Sequence, residues 1–261
     1  MTVLICGGDS FTYGNELADC NLTTPSKAAW GAMLAASLNM SYSCVADGGL
    51  SNTGIARHVM IGCTKLLKQN IDVAVAVMWS FPCRYEFRFT YNTTEKNSPW
   101  YSITPWTHEV DESIILEAFH NFEKNIFDHY KKNQLQAQVT GVAKFSELYY
   151  KHVGDSEYWE IYTSLKEILF LQQWLEGKHI PYVFTYVDDI LFKNNTNPDI
   201  NIQILLDSIN DNAFYHFEGF YKWAKSKNYL FGAIHPLEPA HIQFSKKILQ
   251  LAQQRLVINN K

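Results

Sequence analysis

Three short apolar runs, separated by two stretches with helical periodicity, leave this chain few folds to choose from. Val3–Cys6 is apolar and ends in Gly-Gly, and Tyr42–Ala46 is a second such run, closed by Asp47-Gly48-Gly49. Ile71–Trp79 (IDVAVAVMW) is the strongest of the three. Runs without a polar alternate residue suit strands covered on both faces, as in a parallel sheet. Between them, Ser26–Asn39 carries Trp30, Leu34 and Leu38 on one helical face, with Pro25 and Ser26 suited to its start. Asn52–Gln69 does the same with Ile55, Val59, Cys63 and Leu66. The order β-α-β-α-β predicts right-handed crossovers and an open parallel sheet with helices on both faces.

After Trp79 the pattern breaks. Arg88–Val110 holds turn formers and aromatics without sustained periodicity, and a connection that long is usually a functional lid or a disordered loop. Glu112–Lys132 reads as a helix through Ile115, Phe119, Phe122, Ile126 and Tyr130, and Asp155–Glu176 as another, capped by Asp155. His179–Val187 is the next strand, followed by Asp188-Asp189, an Asn-rich turn, short helices to Lys227 and a last helix from about Glu238 to Val257. With no repeat and no linker, the 261 residues read as one domain, 1–261, with an insertion at about 88–154.

A net charge of -4 and the lack of a basic run argue against nucleic acid as a partner. No apolar run approaches the roughly 18 residues of a membrane span, and Met1 leads straight into a strand without the features of a signal peptide. Five irregularly spaced cysteines, with no C-x-x-C pair, read as free thiols of a reducing compartment. The expected location is the cytoplasm, the host cell's if the chain is viral. Neither G-x-G-x-x-G nor a P-loop occurs, so no cofactor is expected.

Ligands of an open α/β sheet bind at the carboxyl ends of its strands. Gly8–Tyr13, Gly48–Asn52 and Ser80–Glu86 fall there. Acyl transfer by serine needs a hydroxyl, a base for its proton and donors for the developing oxyanion. Ser10 supplies the hydroxyl, a histidine of the C-terminal loop can supply the base, and glycine-turn N–H groups can supply the donors. The segment GGDSFTYG (7–14) resembles the first block of the SGNH (GDSL-like) serine hydrolases. DGGLSNTGIARH (47–58) is similar to their glycine block, and GAIHPLEPAHIQFSKKI (232–248) to their last block. The N-terminal and C-terminal parts carry this resemblance; the middle of the chain adds nothing to it.

The resemblance implies a flavodoxin-like three-layer α/β/α fold with a central parallel sheet and a helical, aromatic insertion. It implies Ser10 as nucleophile, His235 as base, and the N–H groups of Ser10 and Gly49 (or Gly48) as oxyanion donors. Two departures stand out. Where the family has an Asn after strand three, this chain reads MWSFPCRYEF (78–87), so Ser80, Arg84 or Asn52 is the candidate second donor. Asn52 equally suits a helix cap, and Arg84 equally suits an anionic substrate group or a pair with Glu86. The family's acid, three residues before the histidine, is here Gly232. Either Ser10 and His235 work as a dyad with a backbone carbonyl fixing the imidazole, or Glu238, Asp188 or Asp189 fills the role. Glu238 also suits the first turn of a helix without any catalysis.

Asp9 reads as a brace for the turn. His241, six residues past His235, lacks the spacing of a zinc pair, so no metal is expected; a metal enzyme using Asp9, His235 and His241 is the weakest alternative. The expected activity is hydrolysis of a carboxylic ester, an O-acetyl carbohydrate or a small lipid-like ester, through an acyl-enzyme. The alternatives are a thioesterase or acyltransferase on the same site, or a catalytically silent ligand-binding domain. Trp100, Tyr101 and Trp106 of the insertion suit stacking on sugar rings, an apolar acyl groove or, equally, a lid packing on its own helices. The departures resemble divergent, phage-type members of the family.

Overall fold

The computed structural model describes residues 2–21, 23–88, 100–109, 132–193 and 199–257. Contacts divide the chain into two units, Met1–Pro82 with Ile161–Lys261, and Cys83–Glu160. In chain order the named elements begin with β1 (Val3–Gly7), α1 (Ser10–Tyr13), α2 (Trp30–Ser37), β2 (Ser41–Cys44), α3 (Asn52–Leu67) and β3 (Val73–Trp79). The second unit holds β4 (Tyr85–Arg88), β5 (Trp100–Ile103) and α4 (Lys132–Tyr149). Then come α5 (Glu157–Gly177), β6 (Tyr182–Tyr186), α6 (Ile190–Lys193), α7 (Ile200–Ser208), α8 (Phe220–Ser226) and α9 (Glu238–Leu256).

The first unit is a parallel four-stranded sheet in the order β2-β1-β3-β6. Side chains alternate across a strand, and β3 makes the two faces explicit. Val73, Val75, Val77 and Trp79 pack in one cluster with Ile55 and Val59 of α3 and Leu165, Ile168 and Leu171 of α5. Ala74, Ala76 and Met78 pack in a second cluster with Trp30 and Leu34 of α2 and Ala240, Phe244 and Ile248 of α9. Helices therefore cover both faces, giving the three-layer α/β/α fold expected from the sequence. Right-handed crossovers explain the layering: the chain leaves β1 for β2 on one side and returns past β1 to β3 on the other, which sends α2 and α3 to opposite faces. The direction reverses between β1 and β3, so a crevice opens at their carboxyl ends.

Several boundaries differ from the sequence reading. α2 starts at Trp30, not Ser26, because Ser26 is held in a loop. Its amide donates to Tyr13 O (2.9 Å), its hydroxyl donates to the Asp19 carboxylate, and Lys27 N donates to Asp19 Oδ2 (2.8 Å). α5 starts at Glu157, behind a π turn at Tyr150–Gly154, and the N-terminal side-chain acceptor is Ser156 Oγ, 3.4 Å from Trp159 N, in place of Asp155.

In the second unit, Tyr85–Arg88, following the loop expected after β3, pairs as an antiparallel ribbon with Trp100–Ile103 of the expected lid or loop, Tyr85 opposite Ile103 and Arg88 opposite Trp100. Ile103, Val142 and Tyr150 form its small core, and the Tyr150 hydroxyl lies 2.6 Å from Cys83 O and 2.9 Å from Ile103 O. Trp100 and Trp106 are exposed there, and Tyr101 is partly buried. The helix expected over Glu112–Lys132, except its last residue, and the middle of the Asn-rich turn lie outside the described residues. None of the five cysteines forms a disulfide. Among the described residues no helix is long and apolar enough to cross a membrane.

Candidate active site

The crevice between β1 and β3 is where the chain turns from strand to helix with no slack. A Cβ on Gly7 would lie 2.3 Å from Val59 Cγ2 of α3, and one on Gly8 would lie 2.1 Å from Thr12 Oγ1. Both contacts are too short for any side chain, so the Gly-Gly pair is what allows α1 to begin at Ser10. Asp9 is the N-cap of α1: its Oδ1 accepts from Phe11 N at 3.0 Å. Its Oδ2 accepts from Ser80 Oγ at 2.6 Å. Ser80 is gripped again by Asn52, whose Oδ1 accepts from Ser80 N (2.8 Å) and whose Nδ2 donates to Ser80 O (3.3 Å) and Ser164 Oγ (3.0 Å). Asp9, Ser80 and Asn52 are all buried. The network ties together the ends of β1 and β3 and the start of α3, and it holds Ser10 in place. Asp47 N donates to Gly8 O at 3.4 Å, which brings the Asp47–Gly49 turn beside the same backbone.

The histidine arrives from the other end of the chain. Residues 230–237 form a tight loop closed by Leu237 N to Leu230 O (2.9 Å) and Gly232 N to His235 O (3.0 Å). The His235 ring sits edge-on to Phe11, 4.8 Å between centroids. Its Nε2 lies 2.8 Å from Ser10 Oγ, and its Nδ1 lies 2.9 Å from Glu16 Oε1. The tautomer follows from the partners. An ionised carboxylate only accepts, so Nδ1 carries the proton and donates to Glu16. Nε2 is then a bare lone pair, and the Ser10 hydroxyl donates to it. Glu16 also accepts from Ile234 N (3.1 Å) and His235 N (3.3 Å) through Oε2. Burial works to raise the Glu16 carboxyl, but these bonds, led by the one from the His235 ring, outweigh it and hold the group below the ordinary glutamate value.

Ser10 and His235, expected to meet, do meet. The acid on the imidazole is Glu16, not Glu238, Asp188 or Asp189. Glu238 Oε1 instead accepts from Ala18 N (2.8 Å), a contact that holds its carboxyl below the usual range. Asp188 and Asp189 both pair with Lys222 Nζ, at 3.0 and 2.6 Å. Asn52 has its amide engaged with Ser80 and Ser164, as described. Arg84 falls in the second unit, whereas Ser10, Glu16 and His235 all belong to the first. Gly49 has φ 77° and nothing within 4 Å of the position a Cβ would take. His241 is fully buried, accepts from Trp30 N at its Nδ1 (3.1 Å), and is pushed down to about 4 by burial. Among the described residues no group of three His, Cys, Asp or Glu side chains is arranged to hold a metal ion. The one sequence signal for Glu16 is its nearness to the serine, six residues on, and Asp9, nearer still, turns instead to Phe11 N and Ser80.

Fold and site together define a three-layer α/β/α protein with a Ser–His–Glu hydrogen-bonded chain at the reversal of its sheet. No model of a known protein family matches the sequence, and no curated protein does either. Solved structures with a similar chain path include a member of the lipolytic G-D-S-L family from Veillonella parvula, at 13% identity and TM-score 0.44, covering 96% of this chain and 97% of that one. Another is an acetyl xylan esterase from the rumen bacterium Butyrivibrio proteoclasticus, at 12% identity and TM-score 0.45, covering 97% of this chain and 63% of that one. This chain therefore spans under two thirds of the esterase's length. The fold is read from the sheet itself and the chemistry from the geometry of Ser10, His235 and Glu16.

Proposed function

We propose that the protein is a serine hydrolase of carboxylic esters, of the SGNH (GDSL-like) kind, acting on small esters or O-acetyl groups of carbohydrates. The observation that carries this reading is the 2.8 Å contact between Ser10 Oγ and His235 Nε2. In it a hydroxyl at a helix N-terminus has a base within proton-transfer distance. Ser10 Oγ attacks the ester carbonyl carbon as its proton passes to Nε2. The tetrahedral oxyanion is held by the N–H groups of Ser10 and Gly49, the first at the positive end of α1 and the second in the open turn after β2. The tetrahedral centre collapses, the C–O bond to the alcohol breaks, and His235 returns the proton to the departing oxygen. Water then attacks the acyl carbon as the same Nε2 takes its proton, the bond from that carbon to Ser10 Oγ breaks, and His235 returns the proton to Oγ, freeing the carboxylic acid. Asp9, Ser80 and Asn52 hold the turn and do not touch the reacting atoms.

The test is release of p-nitrophenol from p-nitrophenyl acetate and of acetate from a per-acetylated monosaccharide. Wild-type protein is expected to turn over at least one of them, and Ser10→Ala to lose the activity by roughly 10⁴-fold or more. A folded wild type that turns over neither would overturn the proposal.

A further inference from the structure

We infer that Glu16 is the positioning acid of this site, and that residue 232 is a glycine because the Glu16 carboxylate occupies the space its side chain would fill. The inference rests on the esterase reading above and adds to it which residue governs the base and why the loop around His235 has its sequence.

Three observations converge. The first is the contact set: one carboxylate takes the His235 ring N–H on one oxygen, and the Ile234 and His235 backbone N–H groups on the other. Ring tautomer and loop position are fixed together, which a carbonyl acceptor for Nδ1 alone would not do. The second is the backbone of Glu16, at φ 70°, a left-handed conformation that costs a residue with a Cβ. Nothing local requires a glutamate there; its side-chain contacts are what favour it. The third is the fit against Gly232. A Cβ built on Gly232 would lie 2.1 Å from Glu16 Oε2, 3.1 Å from its Cδ and 3.2 Å from its Cβ. Gly232 does not adopt the left-handed backbone that favours glycine. It is a glycine for want of room, and the room is taken by the acid.

The two positions should therefore be exchangeable. A short acidic side chain grown from residue 232 would enter the volume that Glu16 now fills, beside the same ring nitrogen. With Glu16 present it would clash with one carboxylate while adding another. With Glu16 cut back to alanine it would replace it. The same substitution, Gly232→Asp, is thus harmful in one background and beneficial in the other. A residue that merely tethered the loop would not reverse that sign.

The experiment measures kcat and KM for p-nitrophenyl acetate in wild type, Glu16→Gln, Glu16→Ala, Gly232→Asp and the double variant Glu16→Ala/Gly232→Asp, with a thermal melt of each. Glu16→Gln keeps the shape and an acceptor oxygen but loses the charge, and it is expected to lower kcat by roughly 10²- to 10⁴-fold with KM little changed. Gly232→Asp alone is expected to fall about 10-fold or more, and the double variant to exceed Glu16→Ala by about 10-fold or more. An active wild type with Glu16→Gln at full kcat would overturn the positioning role. A folded double variant no better than Glu16→Ala would overturn the exchange. Neither result would touch the esterase reading, which fails only if wild type itself is inert.

Discussion

Two histidines six residues apart, His235 in the loop before α9 and His241 in its second turn, are both nearly or wholly buried, yet their surroundings differ in kind. His235 stands between a hydroxyl and a carboxylate, so a proton can arrive on one nitrogen while the other keeps a compensating negative charge close by. His241 stands among apolar rings, with Phe220 edge-on at 5.0 Å, and the partner of its Nδ1 is the Trp30 amide, which can only donate. Burial outweighs the Pro236 carbonyl and the Glu238 carboxylate, which favour a charge on its ring, and pushes it down to about 4. Burial alone does not make a histidine reactive; an acceptor on one side and a donor on the other do. His241 serves α9 and α2 by giving the first amide of α2 a partner.

The contrast can be broken most sharply at His235. His235→Ala is expected to lose ester turnover by roughly 10³-fold or more, while its melting temperature stays within about 5 °C of wild type. A large melting loss with activity per folded molecule intact would reverse the assignment of the two histidines. Next in size is the pH response of stability. His241 titrates at about 4 in the folded chain against an ordinary 6.5, so the unfolded chain takes up its proton first as pH falls. The stabilisation is complete above pH 6.5, is lost progressively toward pH 4, and is flat below that. Over that window the loss amounts to about 3 kcal/mol. Denaturant melts of His241→Leu should lack this slope, at the cost of about 1–3 kcal/mol near neutrality from the unpaired Trp30 amide. An unchanged slope would show that another group carries it. The smallest effect is expected at Glu238. Glu238→Ala removes one hydrogen bond to Ala18 N and should cost about 0.5–1.5 kcal/mol in stability with ester turnover retained; loss of turnover would return it to the list of candidate acids.

Much of this was legible in the sequence because it depends on local pattern. The strand runs around Cys6, Cys44 and Trp79 and the helical faces between them dictate the sheet and its two layers. Ser10 and His235 are marked by turn chemistry and by a resemblance in motif. Glu16 was hidden because its role depends on a contact across more than 200 residues and on an unusual backbone angle that no residue type announces. Gly232 reads as an ordinary loop glycine until the carboxylate beside it is seen. Asn52 reads as a helix cap or an oxyanion donor, and only the fold reveals that Ser80 takes both ends of its amide. The start of α2 escapes the sequence pattern for a similar reason: Asp19, seven residues away, holds Ser26 out of the helix. Side chains that reach across the fold, rather than along it, are the ones that escape a linear reading.

The most direct test of the account is covalent. Wild type and the Ser10→Ala and His235→Ala variants are incubated with a fluorophosphonate, followed by intact mass and peptide mapping. Phosphonylation of wild type at Ser10, absent in Ser10→Ala and much slowed in His235→Ala, is the expected result. A folded wild type that takes up no label, or takes it elsewhere than Ser10, would contradict the claim that Ser10 is an activated nucleophile.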